Sequence, residues 1–222
     1  MLEIWGRKYS SHVIPVMWTA GETGVEHAMR VCGGSFGGLD TPEYARMNPN
    51  REIPTINDNG FVLWESHAIV RYLCAKYSMG TFCPASLTER AIAEQWMEWC
   101  KSLAFPNVFP LFWMTVRTAP GNRDPAKIEE QAIKAGKVLK ILDDRLGEVP
   151  YVAGASFTMG DIPLGAVAYR YYNVNVSRPS LPNIEKWYAK LCERPAFQKH
   201  VMNFFGTTPE EWQELERQSG KP

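Results

Sequence analysis

The chain has 222 residues, 45% of them hydrophobic, and its 24 basic and 24 acidic side chains cancel at neutral pH. That length buries one large core or two smaller ones, and an even charge with no long block of one sign argues against nucleic acid or an anionic membrane as partner. No run of 18 uncharged apolar residues marks a membrane span, and "MLEIWGRKYSS" lacks a charged region followed by an apolar leader, so nothing directs the chain to export.

Taken in order, Leu2, Ile4 and Trp5 open with a strand signal, and residues 13–20 read as a helix behind "GRKYSSH". "HAMRVC" is a second strand that runs into a glycine cluster, and a loop follows through "GGSFGGLDTPEYARMNPN". "IPTIN" and "FVLWE" are short apolar runs around Asp58-Asn59-Gly60, a hairpin turn. "ESHAIVRYLCAKY" reads as a helix with Ile69, Tyr72, Leu73 and Tyr77 on one face, and His67 as an exposed residue of it. The order strand, helix, strand, loop, strand, strand, helix makes a small α+β domain at residues 1–80.

Gly80 and Pro84 interrupt all periodicity, which places a linker at 81–87. Beyond it the strand signals stop. Ile92, Trp96, Trp99 and Leu103 fall at helical intervals, and Ile128, Ala132, Ala135, Leu139, Leu142 and Leu146 step by three and four. Residues 88–222 are therefore expected to be all helix, with the polar end from residue 206 partly frayed. The five cysteines, Cys32, Cys74, Cys83, Cys100 and Cys192, are odd in number and never form C-x-x-C, which favours reduced thiols in a cytoplasm over disulfides or a metal site.

Four stretches can carry chemistry. Ser10 and Ser11, with His12 behind them, precede a helix. A hydroxyl there either caps the helix, for about 1 kcal/mol, or joins its positive end in stabilising an anion such as a thiolate. Ionising a thiol of pKa about 8.5 at neutral pH needs a shift of about 2 units, or roughly 3 kcal/mol. One charge-assisted hydrogen bond of about 1.5 to 3 kcal/mol plus the helix dipole supplies that. Pro54, between apolar residues at the head of a strand, would turn the amide and carbonyl of Ile53 toward a peptide ligand if its bond were cis. Glu65 and Ser66 at a strand-to-helix junction either cap and solvate, or hold the ammonium and carboxylate of an amino-acid head group. Thr158 and Asp161 read as a structural capping box.

Gly33-Gly34-Ser35-Phe36-Gly37 also fits G-x-S-x-G, with Asp161 and His200 following in the order of a hydrolase triad. The glycines on either side and Pro42 do not suit the strand-to-helix elbow that this motif requires.

"NPNREIPTI", "LWESHAIVRYL" and "FTMGDIPLG", in that order, resemble the glutathione transferases, and the resemblance covers nearly the whole chain. It implies a thioredoxin-like N-terminal domain joined to an all-α C-terminal domain, with bacterial theta-like, beta-like and nu-like enzymes the most similar. By that resemblance Ser10 faces the glutathione sulfur, Ser11 takes its place if the alignment shifts by one, and His12 stands where relatives carry asparagine. Ile53, preceding a cis Pro54, binds the cysteinyl backbone, and Glu65 with Ser66 binds the γ-glutamyl head. Arg51 and Glu52 replace a usual glycine and its neighbour, so Arg51 could meet the glycyl carboxylate. Phe105, Phe109, Trp113 and Val116 are expected around a hydrophobic electrophile, in a cytoplasmic homodimer whose interface lies near helix 88–101. The resemblance also admits glutathione-dependent disulfide or peroxide reduction, or a glutathione-binding scaffold.

Overall fold

The computed structural model describes residues 1–220, so the last two positions of the expected 88–222 domain lie outside it. Strand β1 (Leu2–Gly6) pairs parallel with β2 (His27–Val31) and antiparallel with β3 (Thr55–Asp58), which pairs antiparallel with β4 (Phe61–Trp64). The sheet order is therefore β2-β1-β3-β4, as in a thioredoxin-like domain. Leu2 and Ile4 alternate into the core, and the β3–β4 hairpin turns on Asn59 at φ +53° and Gly60 at φ +96°, the pair of left-handed residues that a two-residue hairpin asks for.

Helix α1 (Val13–Thr23) crosses from β1 to β2, and α3 (Ser66–Tyr77) packs beside it. Between them the structure adds α2 (Pro42–Met47), read above as loop. Its signal was local: the Thr41 hydroxyl accepts from the Tyr44 amide at 3.1 Å, and Pro42 occupies the first turn.

After a helix-free stretch at 78–86, every further element is helical. Helix α4 (Leu87–Trp99) continues through a π-turn (Cys100–Ala104) into α5 (Phe105–Phe112), which ends in a second π-turn (Trp113–Arg117). Then come α6 (Pro125–Glu148), α7 (Asp161–Asn173), α8 (Pro182–Cys192), α9 (Pro195–His200) and α10 (Pro209–Ser219). Ala132, Ala135, Leu139, Leu142 and Leu146 form the buried face of α6 as their spacing requires. No helix among the described residues is long and apolar enough to cross a membrane.

Among the described residues, those from 206 to 220 do not fray, and the last two positions of that expectation lie outside them. Helix α10 buries Trp212 and Glu216, the Arg7 guanidinium pairs with Glu216, and Arg117 lies 3.5 Å over the Trp212 ring. A face built of so few apolar residues is invisible to a periodicity search, and long-range cationic contacts hold it instead.

Asp161 starts α7 and is fully buried. Its carboxylate accepts from the amides of Thr158 (2.9 Å) and Val152 (3.0 Å) and from Trp187 Nε1 (2.9 Å). The capping box is thus half formed, since the Thr158 hydroxyl receives the Gly160 amide rather than that of Asp161. With Asp161 so engaged, and Ser35 in an exposed 3₁₀ turn (Gly34–Phe36), no hydrolase triad exists.

The two parts meet along α1, which packs against α3 on one side and α7 and α9 on the other. Trp18 of α1 is buried at this seam, and a Cβ at Gly165 of α7 would sit 2.8 Å from its ring, so the glycine lets the helices close. Glu22 of α1 takes both 2.7 Å bonds of a bidentate Arg194. The middle and last turn of α1 are thereby fixed against the helical domain.

Candidate active site

The opening of α1 does not use its serine hydroxyls as caps. The Ser10 carbonyl accepts from the amides of Val13 (3.1 Å) and Ile14 (3.0 Å), while no side chain caps the helix. Ser10 is only 7% exposed, yet among the described residues its hydroxyl has no partner, and its oxygen is not sealed from solvent. The amides of Ser11 and His12 likewise have no backbone acceptor among the described residues. Free donors thus collect at the positive end of a helix.

The start of α3 repeats the pattern. No side chain caps this helix either, and the buried Ser66 leaves its hydroxyl free of partners among the described residues. Glu65 precedes it at φ +72° and ψ 113°, a backbone region that costs a non-glycine residue on the order of 1–3 kcal/mol and that clusters at ligand clamps. Its carboxylate accepts Lys101 Nζ at 2.9 Å.

The Ile53–Pro54 bond is cis. Around it the Tyr44 hydroxyl (2.6 Å) and Asn48 Nδ2 (2.8 Å) both donate to the Glu52 carbonyl, and both reach Thr55 Oγ1, so a buried polar knot holds the loop. Arg51 sits at φ +53°, the left-handed region that favours glycine. The Arg51 guanidinium turns to Asp40, 3.4 Å away, and does not line the groove.

Two concavities join here. A polar groove is lined by Asn48, Asn50, Glu52, Ile53, Pro54 and Trp64, and an apolar cavity between the domains by Ile14, Phe105, Val108, Phe109, Pro163 and Val167. His12, Glu65 and Ser66 line both, and Ser11 lines the cavity side. The His12 ring lies 4.8 Å from that of Phe105, which stacks on Phe109 at 4.8 Å. Burial holds the His12 pKa below its ordinary value, with Lys101 and Arg170 adding to this and Glu65 and Glu52 opposing it, so the imidazole is neutral at pH 7 and offers one N–H.

Not every expected residue arrives. Ser10 is not among the residues that line either concavity, whereas its neighbours Ser11 and His12 are. Trp113 is 48% exposed and Val116 is buried outside the cavity lining, both on the π-turn (Trp113–Arg117) that follows α5. His67 is not an exposed helical residue. It lines the cavity, its Nδ1 is sealed without a partner, and burial pushes its pKa down to about 4. Residues not anticipated are Asn48 and Asn50, whose Asx turn (Asn50 amide to Asn48 Oδ1, 3.0 Å) was legible in "NPN", and Lys101 and Arg170 on distant helices, which carried no sequence signal.

Comparison with known proteins agrees with this geometry. The profile of "Glutathione S-transferase, N-terminal domain" matches residues 9–76, and that of "Glutathione S-transferase, C-terminal domain" matches 104–195. The chain is 34% identical to glutathione S-transferase GstB of Escherichia coli over 91% of its own length and 98% of that protein's, and 31% identical to glutathione S-transferase 3 of Zea mays over 90% and 93%. It superposes with a TM-score of 0.87, at 43% identity and over 92% and 99% of the two chains, on a theta class glutathione S-transferase from Xanthomonas axonopodis pv. citri solved with glutathione bound. The chain belongs to the glutathione transferase family, transferases that take glutathione as co-substrate.

Proposed function

We propose that the polar groove binds glutathione with its sulfur at the groove's junction with the apolar cavity, and that the thiolate attacks a hydrophobic electrophile held there. The observation that carries this reading is the sharing of His12, Glu65 and Ser66 by the two concavities, since a sulfur bound in one and reacting in the other must lie beside them. Ser66 and the free amides of α3 take the γ-glutamyl carboxylate, Glu65 its ammonium, and the backbone of Ile53 the cysteinyl unit. The hydroxyls of Ser10 and Ser11, the amides at the start of α1 and the neutral His12 N–H favour the thiolate over the thiol, whose proton leaves to solvent. The chain supplies no nucleophile of its own.

Phe105 and Phe109 make the electrophile wall. Arg51 reaches the glycyl carboxylate only by leaving Asp40, and Glu52 bounds the groove beside it. A homodimer joined near α4, in a cytoplasm that keeps the five free cysteines reduced, completes the reading. Light scattering that returned only a monomer would remove the dimer from it.

Calorimetric titration with glutathione, followed by turnover on an aromatic halide and on a disulfide, tests the function. Saturable binding with conjugation of the halide is expected. Binding with disulfide reduction alone would favour the reductase, and binding without turnover a scaffold.

A further inference from the structure

Arg170 projects from α7 of the helical domain into the seam behind the active site and is 5% exposed. Its guanidinium lies 4.3 Å over the Phe112 ring and 5.4 Å from that of Phe205. Nη2 donates to the Tyr9 carbonyl at 2.9 Å, Nη1 is sealed from solvent, and among the described residues Nη1 has no partner and no carboxylate pairs with either nitrogen. A cation removed from water without a counter-charge is expensive, by several kcal/mol. The charged groups that face it sharpen the point. Arg7 and Arg117 are like charges whose nearby carboxylate, Glu216, is engaged by Arg7, and Tyr169 beside it is neutral at pH 7.

The cation's position gives it a use. Tyr9, whose carbonyl it holds, immediately precedes Ser10, and Arg170 lines the same cavity as Ser11 and His12. Its field reaches the first turn of α1, where it helps to hold His12 neutral, and Lys101 acts in the same sense against Glu65 and Glu52.

We propose that Arg170 is a positioning residue for thiol activation: its unpaired guanidinium, tied to the Tyr9 carbonyl, supplies from the helical domain a positive potential that lowers the thiol pKa of glutathione bound at the opening of α1. Burial and the two neighbouring arginines lower its own pKa to about 10, so it remains charged throughout the range in which a thiol titrates. The step it favours is loss of the S–H proton to water, and no bond forms or breaks at Arg170. The inference rests on the glutathione reading of the site.

The test is the ultraviolet thiolate absorbance of glutathione bound to the protein without electrophile, titrated in the wild type, Arg170→Met, Arg170→Lys and Arg170→Gln. Arg170→Met is expected to raise the bound thiol's pKa by about one unit, a tenfold loss of thiolate on the acid side, and Arg170→Lys by much less. Arg170→Gln keeps a donor for the Tyr9 carbonyl while removing the charge, so it should raise the thiol pKa as Arg170→Met does, which keeps the test available if Arg170→Met does not fold. A thiol pKa that stays within about 0.2 units of wild type in the folded variants, with glutathione still bound, overturns this inference alone. Absence of glutathione binding in the wild type overturns the reading beneath it.

Discussion

Lys101 of the helical domain donates a 2.9 Å ion pair to Glu65, whose backbone is held at φ +72° at the junction of β4 and α3. The carboxylate proposed to receive an incoming ammonium is therefore already oriented, and by a residue of the other domain. A lysine and a ligand ammonium then share one acceptor.

Glu65→Gln should weaken glutathione binding about 10-fold, from loss of a charge-assisted bond of about 1.5 kcal/mol, and raise KM more than it lowers kcat. Glycine at the same position relieves the backbone but removes the carboxylate, so Glu65→Gly should bind as poorly as Glu65→Gln while matching or exceeding wild-type stability. Calorimetry and thermal melts separate these effects, and unaltered affinity in both variants would remove Glu65 from the site.

Asp161 should be the most costly single deletion outside the site. Its carboxylate accepts from two buried amides, the Thr158 hydroxyl and the Trp187 indole, and Asp161→Ala removes the acceptor of all four. A loss of about 3–5 kcal/mol in denaturant unfolding is expected, with Asp161→Asn costing less because one oxygen remains. A loss under about 1 kcal/mol for the alanine variant would contradict this account of the α7 start.

Stability should fall in mild acid because of two histidines. Burial, aided by Arg71 and Lys101, holds the His67 pKa at about 4, and burial with Lys199 holds His200 at about 4. In the unfolded chain both take up a proton below about pH 6.5. A depressed folded-state pKa means that their contribution is complete above pH 6.5 and is lost as pH falls toward 4. Asp161 runs the other way: burial raises its pKa to about 6, so its contribution is lost as pH rises through 6. Comparison with a His67→Gln/His200→Gln double variant isolates the histidine part, and its melting temperature should change less than that of wild type between pH 6.5 and 4. Parallel curves would refute the assignment.

Asp58, the last residue of the inner strand β3, ties the sheet to α3. Its buried carboxylate accepts from Lys76 (2.6 Å), Tyr72 (2.9 Å) and Tyr77 (3.0 Å), and although burial alone would raise its pKa, these bonds hold it below the ordinary value. Asp58→Ala should cost about 2 kcal/mol at pH 7, and this cost should shrink as pH falls below the ordinary carboxylate range. A cost independent of pH would mean that the charge plays no part.

What the sequence disclosed and what it hid follow from the range of the forces involved. Alternation in β1, the Asn59-Gly60 turn and the apolar face of α6 are local, and each was legible. The helix starts at Ser10 and Ser66 were legible as positions but not as chemistry, because capping and anion binding ask for the same residue types. Only the unfilled hydroxyls in the structure favour the second. Helix α10 escaped because it is held by Arg7 and Arg117, more than ninety residues away in sequence. Lys101 and Arg170 escaped for the same reason, and the π-turn that carries Trp113 and Val116 left no mark in the spacing.

The central claim is that the serine pair and free amides at the opening of α1 ionise a bound thiol. Titration of the thiolate absorbance of bound glutathione measures this directly. The account predicts a pKa of about 6.5 in the wild type, against about 8.5 for a free thiol, and a return of at least about one unit toward the free value in Ser10→Ala/Ser11→Ala, with the single variants assigning the contact. A bound thiol that titrates near 8.5 in the wild type, or near 6.5 in the double variant, would contradict it.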